Sequence, residues 1–100
     1  MIKHIVLFKL KDFAEGASKL ENAAKIKSLL ESMSEDIREI KSSECGINIV
    51  DSERSYDMAW TVVCNNLDEL NTYILHPSHQ KVAGFVQKVR SESHTVDYEV

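Results

Sequence analysis

Histidine is the side chain best suited to exchanging a proton near neutral pH, tyrosine can donate its hydroxyl to a reacting oxygen, and this chain sets three such residues close together. The segment YILHPSHQ, residues 73–80, holds Tyr73, His76 and His79 around the single proline, Pro77. A residue before proline is biased away from helix, and proline itself suits the first turn of a new one. The segment therefore reads as a break between two helices, with His79 in the first turn of the second. The positive end of the helix dipole disfavours an imidazolium there, and a neutral imidazole is what a general base requires. Tyr73 can donate its hydroxyl to a carbonyl oxygen that gathers negative charge. His76 has a plainer reading as a cap for the free groups of the helix ends, beside a place at the pocket. For His79, ligand contact and simple surface exposure are both open; for Tyr73, core packing and a functional hydroxyl are.

Four strands and three helical segments must position these groups. IKHIVLFKL, residues 2–10, alternates as a strand with Ile2, His4, Val6, Phe8 and Leu10 on one face and Ile5 and Leu7 on the other. His4 on that apolar face is either a core histidine with its hydrogen bonds met or a group that orients His79 or a ligand. A helix over residues 17–34 follows, with Ser18 and Glu21 in capping-box spacing. Its stripe is Leu20, Ala23, Ala24, Leu30 and Met33, widened by Ile26 and Leu29. A second strand ends KSSECGINIV, where Gly46 marks a bulge or a close backbone approach. DSERS is a polar turn.

YDMAWTVVCN, residues 56–65, is a third strand, with Met58, Trp60, Val62 and Cys64 on one face. Helices over 67–75 and from Pro77 to about residue 90 follow, the second burying Val82, Phe85, Val86 and Val89. The chain closes on the strand SHTVDYEV. The order β-α-β-β-α-β points to an α+β ferredoxin-like sandwich with an antiparallel sheet. Right-handed crossovers put the helices on one side. The other side carries Ile5, Leu7, Val63, Val96 and Tyr98, with Ile47 and Ile49 as additions. Fully burying a large apolar side chain stabilises by roughly 1.5–3 kcal/mol, so leaving this set wet forgoes an amount comparable to a domain's whole ~5–15 kcal/mol. A second copy packed sheet against sheet is the physical answer, giving a homodimer. Between helices and sheet, Val6, Phe8, Trp60 and Val62 line an apolar pocket that His4, Tyr73, His76 and His79 close at one end, the usual form of a small-molecule site.

One hundred residues at 43% hydrophobic content suit one domain spanning 1–100. The net charge of −4 argues against nucleic acid and anionic membranes as partners. No apolar run approaches the ~20 residues of a membrane span, and the N-terminus does not read as a signal peptide. Two cysteines, Cys45 and Cys64, stand in no metal or redox spacing, which suits a reducing cytoplasm. Cys64 reads as packing, and Asp97 and Glu99 as structural hydrogen-bonding groups. Three scattered histidines without carboxylates or thiolates in ligand spacing are a thin basis for a metal, and no cofactor is expected.

Several segments carry a resemblance. MIKHIVLFKLKD, CGINIV followed by SYDMAW, YILHPSHQKV, and VDYE together resemble the stress-responsive A/B barrel (Dabb) family over nearly the full length. The pairing of a first-strand histidine with HPSH is the specific part. The resemblance implies a dimeric α+β barrel of two ferredoxin-like subunits, a conclusion the face argument reaches separately. Family members include plant stress-associated proteins and a plant polyketide cyclase that forms olivetolic acid, while bacterial members mostly lack an assigned reaction. The cyclase's tyrosine, second histidine and first-strand histidine map onto Tyr73, His79 and His4. What that implies is proton abstraction next to a carbonyl, followed by carbon–carbon bond formation. The cyclase lines its pocket with aromatic residues from the first helix, whereas this chain has Asn22, Ala23 and Ile26 there and the bulky Trp60 opposite. A differently shaped pocket and a different substrate follow.

The reading is thus a small, largely apolar ligand bound between sheet and helices, with His/Tyr acid–base cyclase or lyase chemistry as the alternative. A haem-degrading or cofactor-free monooxygenase on the same barrel is a further one, hinted at by Trp60 beside a pocket histidine, but the asparagine such enzymes place on their first strand is missing. RNA recognition shares the element order, yet YDMAWTVVCN lacks the basic-glycine-aromatic motif and the charge is acidic.

Overall fold

A computed structural model describes residues 1–100. Its elements are β1 (Ile2–Leu10), a short hairpin of β2 (Phe13–Ala14) and β3 (Ala17–Ser18), α1 (Lys19–Asp36), β4 (Ser42–Ile47), β5 (Met58–Cys64), α2 (Leu67–Leu75), α3 (Pro77–Val89) and β6 (Arg90–Glu99). The four long strands form one antiparallel sheet in the order β4-β5-β1-β6. This is the expected ferredoxin-like arrangement, with the helices on one face. No helix is long and apolar enough to cross a membrane.

Alternation along the central strands decides which side is the core. On β1, Ile2, His4, Phe8 and Leu10 are buried, and on β5 Met58, Trp60, Val62 and Cys64 are buried in register beside them. Ala23, Ile26, Leu30 and Met33 of α1 meet them, with Leu70 and Tyr73 of α2 and Val82, Val86 and Val89 of α3. The start of α1 is set by the expected capping box: the Ser18 hydroxyl accepts from the Glu21 N–H at 3.2 Å, and Glu21 accepts from the Ser18 N–H at 3.0 Å.

Four local expectations need correction. Leu20 is 73% exposed and Ala24 is exposed too, because the stripe of α1 is rotated to bury Asn22 instead. The Asn22 amide donates to the carbonyls of Ala14 at 3.0 Å and Ala17 at 3.4 Å, so a polar residue is buried to hold the β2–β3 hairpin. That hairpin turns through Glu15 (φ 51°) and Gly16 (φ 76°), both left-handed, as a two-residue turn of the mirror-image kind requires. Gly46 forms no bulge: it pairs regularly with Ala59, and a Cβ there would meet nothing within 4 Å. The ladder irregularity lies instead between Lys9 and Leu10 against β6. Ile47 pairs with Met58 and faces the core, so it leaves the outer set, while Ile49 lies past the end of β4.

The outer face otherwise carries what alternation assigns to it. Ile5 stands between Thr61 and Val96, Lys3 between Val63 and Tyr98, and Leu7 between Ala59 and His94. Leu7, Val96 and Tyr98 remain exposed at 39%, 54% and 43%.

Candidate functional site

The HPSH segment folds as its residue types require. His76 ends α2 and begins α3 in extended conformation; its ring Nδ1 accepts from the Ser78 N–H at 3.0 Å, and Pro77 fills the first position of α3. This is the capping role, and it turns His76 away from the cavity lining. His79 follows at the third helical position. It shares a face with Val82, Ala83 and Val86, three, four and seven residues on, and that face looks onto the sheet.

Tyr73 lies between two histidines. Its ring meets that of His79 edge-on at 4.8 Å and that of His4 edge-on at 6.0 Å. Trp60 Nε1 donates to the Tyr73 hydroxyl at 2.9 Å. A phenol has one hydrogen to give, and Trp60 occupies an acceptor lone pair, so the tyrosine proton stays available to a ligand. Burial pushes the Tyr73 pKa up to about 12, against the lowering effect of the Trp60 hydrogen bond, which keeps the phenol protonated. His79 is moved the opposite way. Burial first, then the neighbouring His4, hold its pKa below the usual 6.5, with the Ile74 carbonyl opposing. Its Nδ1 is buried without a hydrogen-bond partner in the protein.

His4 is held from its other side. Asp97 of β6, its register partner, sets Oδ1 2.5 Å from His4 Nδ1. A carboxylate accepts, so Nδ1 carries the hydrogen and Nε2 is the nitrogen not engaged by Asp97. Asp97 thus makes a structural hydrogen bond, as read from the sequence, but to a site residue, which the sequence reading did not foresee. The available signal was register: once β1 and β6 pair, the alternation of VDYE puts either Asp97 or Tyr98 on the His4 face.

These groups converge on a cavity of about 100 Å³. His4, Val6 and Phe8 of β1, Trp60 of β5, Tyr73 and His79 line it. Val62 is fully buried in register with His4 but does not reach the lining. From α1 the wall comes from Leu30 and Met33; Asn22, Ala23 and Ile26 are buried elsewhere. Leu30 and Met33 belong to the stripe read from periodicity, which tells a buried residue but not a cavity wall. Burial raises the pKa of both Cys64 and Cys45, so neither is an activated thiol. No three of the His, Cys, Asp and Glu side chains converge as a metal site would need.

Comparison with known proteins places the chain among relatives. The model of the stress responsive A/B barrel domain (Dabb) matches residues 2–100. An uncharacterized protein of Streptomyces coelicolor is 34% identical over 80 residues, 80% of each chain. A dimeric protein of unknown function with a ferredoxin-like fold from Bacteroides fragilis is 30% identical, with TM-score 0.86 over 99% of this chain and 95% of that one. A hydroxynitrile lyase from Passiflora edulis shares the fold at 14% identity, with TM-score 0.82 over 99% of this chain and 92% of its own.

Proposed function

Because the chain belongs to the stress responsive A/B barrel domain family, we propose that its cavity binds a small, largely apolar carbonyl compound, oriented by Tyr73 and His79. One observation carries this reading: Tyr73, whose hydroxyl keeps its proton, His79 and the Asp97-held His4 line one space otherwise walled by apolar side chains. A carbonyl oxygen accepting from Tyr73 answers the free hydroxyl, and its apolar substituents suit Val6, Phe8 and Leu30. Trp60, the only tryptophan, is hydrogen-bonded to Tyr73 and reports occupancy by its own fluorescence. Saturable change on titrating a short methyl ketone is the expected result; a linear, non-saturating response removes the ligand reading.

The depressed His79 pKa beside the raised Tyr73 pKa favours a second reading, acid–base turnover. Neutral His79 takes a proton from the carbon next to the carbonyl. The C–H electron pair becomes the enolate double bond, and the carbonyl π pair moves to the oxygen, which Tyr73 stabilises by its hydrogen bond. Exchange of that proton for deuterium in heavy water, followed by NMR, reads this step. His79→Ala should slow exchange roughly 10²–10⁴-fold while the ketone still binds. No exchange above buffer in the wild type leaves a binding protein. The lyase from Passiflora edulis supports only the fold's capacity to carry an enzyme; the residues here carry the proposal.

A second copy of the chain is the proposed cover for the outer face, through Ile5, Leu7, Val63, Val96 and Tyr98. The dimeric Bacteroides fragilis protein, 30% identical, supports it. The cytoplasm is the proposed location, where a reducing medium suits the buried free thiols of Cys45 and Cys64.

A further inference from the structure

The cavity beside His79 is small. An engineered 150 Å³ cavity holds benzene, so about 100 Å³ admits little beyond a carbonyl and its nearest carbons. A second, more open hollow of about 250 Å³ lies between α1 and α3. The two share a wall made by Met33 and Val82. Joined, they reach the lower end of the ~300–1,000 Å³ that small-molecule sites occupy. Met33 is the side chain able to join them, since its unbranched thioether has three rotatable bonds, whereas Val82 is stiff at χ1. Beyond it the outer hollow changes character: Ser32, Asp36, Ser78 and Lys81 stand along it.

Resting on the ligand reading above, we propose that Met33 is a movable partition that sets ligand length. The ligand is an elongated carbonyl compound whose carbonyl faces Tyr73 and His79 from the cavity. Its apolar tail passes Met33 and emerges between α1 and α3. A tail ending in an uncharged hydroxyl or amide fits the mouth best, because Lys81 and Asp36 present opposite charges there and two serines offer hydrogen bonds. Ligand selection then falls to α1 and α3 rather than to the sheet.

A homologous series of methyl ketones, butan-2-one to octan-2-one, tests this by calorimetry and by stopped-flow recording of Trp60 fluorescence. Met33→Ala should raise the association rate of octan-2-one at least tenfold. Ser32 is exposed on the wall of the outer hollow, so Ser32→Phe obstructs it without touching the core or adding a second indole, and keeps the test valid if Met33→Ala folds poorly. It should weaken octan-2-one at least tenfold while leaving butan-2-one within twofold. Octan-2-one binding unchanged by Ser32→Phe sends the tail elsewhere and overturns this inference alone. No binding of any ketone by wild type overturns the ligand reading and this inference together.

Discussion

Trp60, Tyr73 and His79 act as one chain of influence. Tyr73→Phe leaves the Trp60 N–H buried without its acceptor, at a cost of about 1–3 kcal/mol, and removes the cavity's hydroxyl. Denaturant unfolding should show that loss, and ketone binding should weaken with it. The two shifted pKa values have opposite consequences for stability. A tyrosine raised from 10 to about 12 is still protonated in the folded state where the unfolded chain has ionised. Its contribution is whole below pH 10 and is lost as pH climbs toward 12, on the order of 2–3 kcal/mol for this 1%-exposed group. His79 is held below 6.5. The unfolded chain then takes up the proton first, so stability is whole above pH 6.5 and falls as pH drops through the lowered folded value. His79→Gln should flatten that acid limb. If exchange turnover exists, its rate should rise with pH through the same lowered value and level off toward neutrality.

At the level of elements, the devices that hold the site are local and separable. The capping box fixes where α1 begins, and Ser18→Ala should cost about 1 kcal/mol in chemical denaturation. Asn22→Ala releases two half-buried carbonyls of the hairpin and leaves a gap where the buried amide stood, which should cost about 1–3 kcal/mol without altering ketone affinity, since Asn22 lies off the cavity. Much of this level was legible in the sequence. Ser18 with Glu21, and His76 before Pro77, are signals acting within one turn, and they placed the helix starts within two residues. The β2–β3 hairpin escaped because Glu15–Gly16 is not the asparagine- or aspartate-glycine pair that normally marks such a turn. Asn22 escaped because a buried amide looks polar in any periodicity count until its carbonyl partners are in place. For the site, the sequence brought forward His4, Tyr73 and His79. Asp97, Leu30 and Met33 depend on register and on which side chains border a void, and neither is a local property.

For the whole molecule, the argument concerns two faces of one sheet. Helices roof the face that holds the cavity, while Ile5, Leu7, Val63, Val96 and Tyr98 lie on the other. Val96→Glu puts a charge beside Ile5 at the centre of that face and should halve the sedimenting mass from twice that of one chain, with ketone binding kept if the cavity belongs to a single subunit. The four histidines are distributed so that one spectrum separates the faces: His4 and His79 line the cavity, His76 caps a helix, and His94 pairs with Leu7 on the outer side. The most direct measurement is therefore the imidazole ¹⁵N spectrum at pH 7 with and without saturating butan-2-one. The expected result is a neutral His79 whose signals move together with those of His4, while His76 and His94 stay in place. Movement at His94 with His79 and His4 unchanged would contradict a binding site between the helices and the sheet.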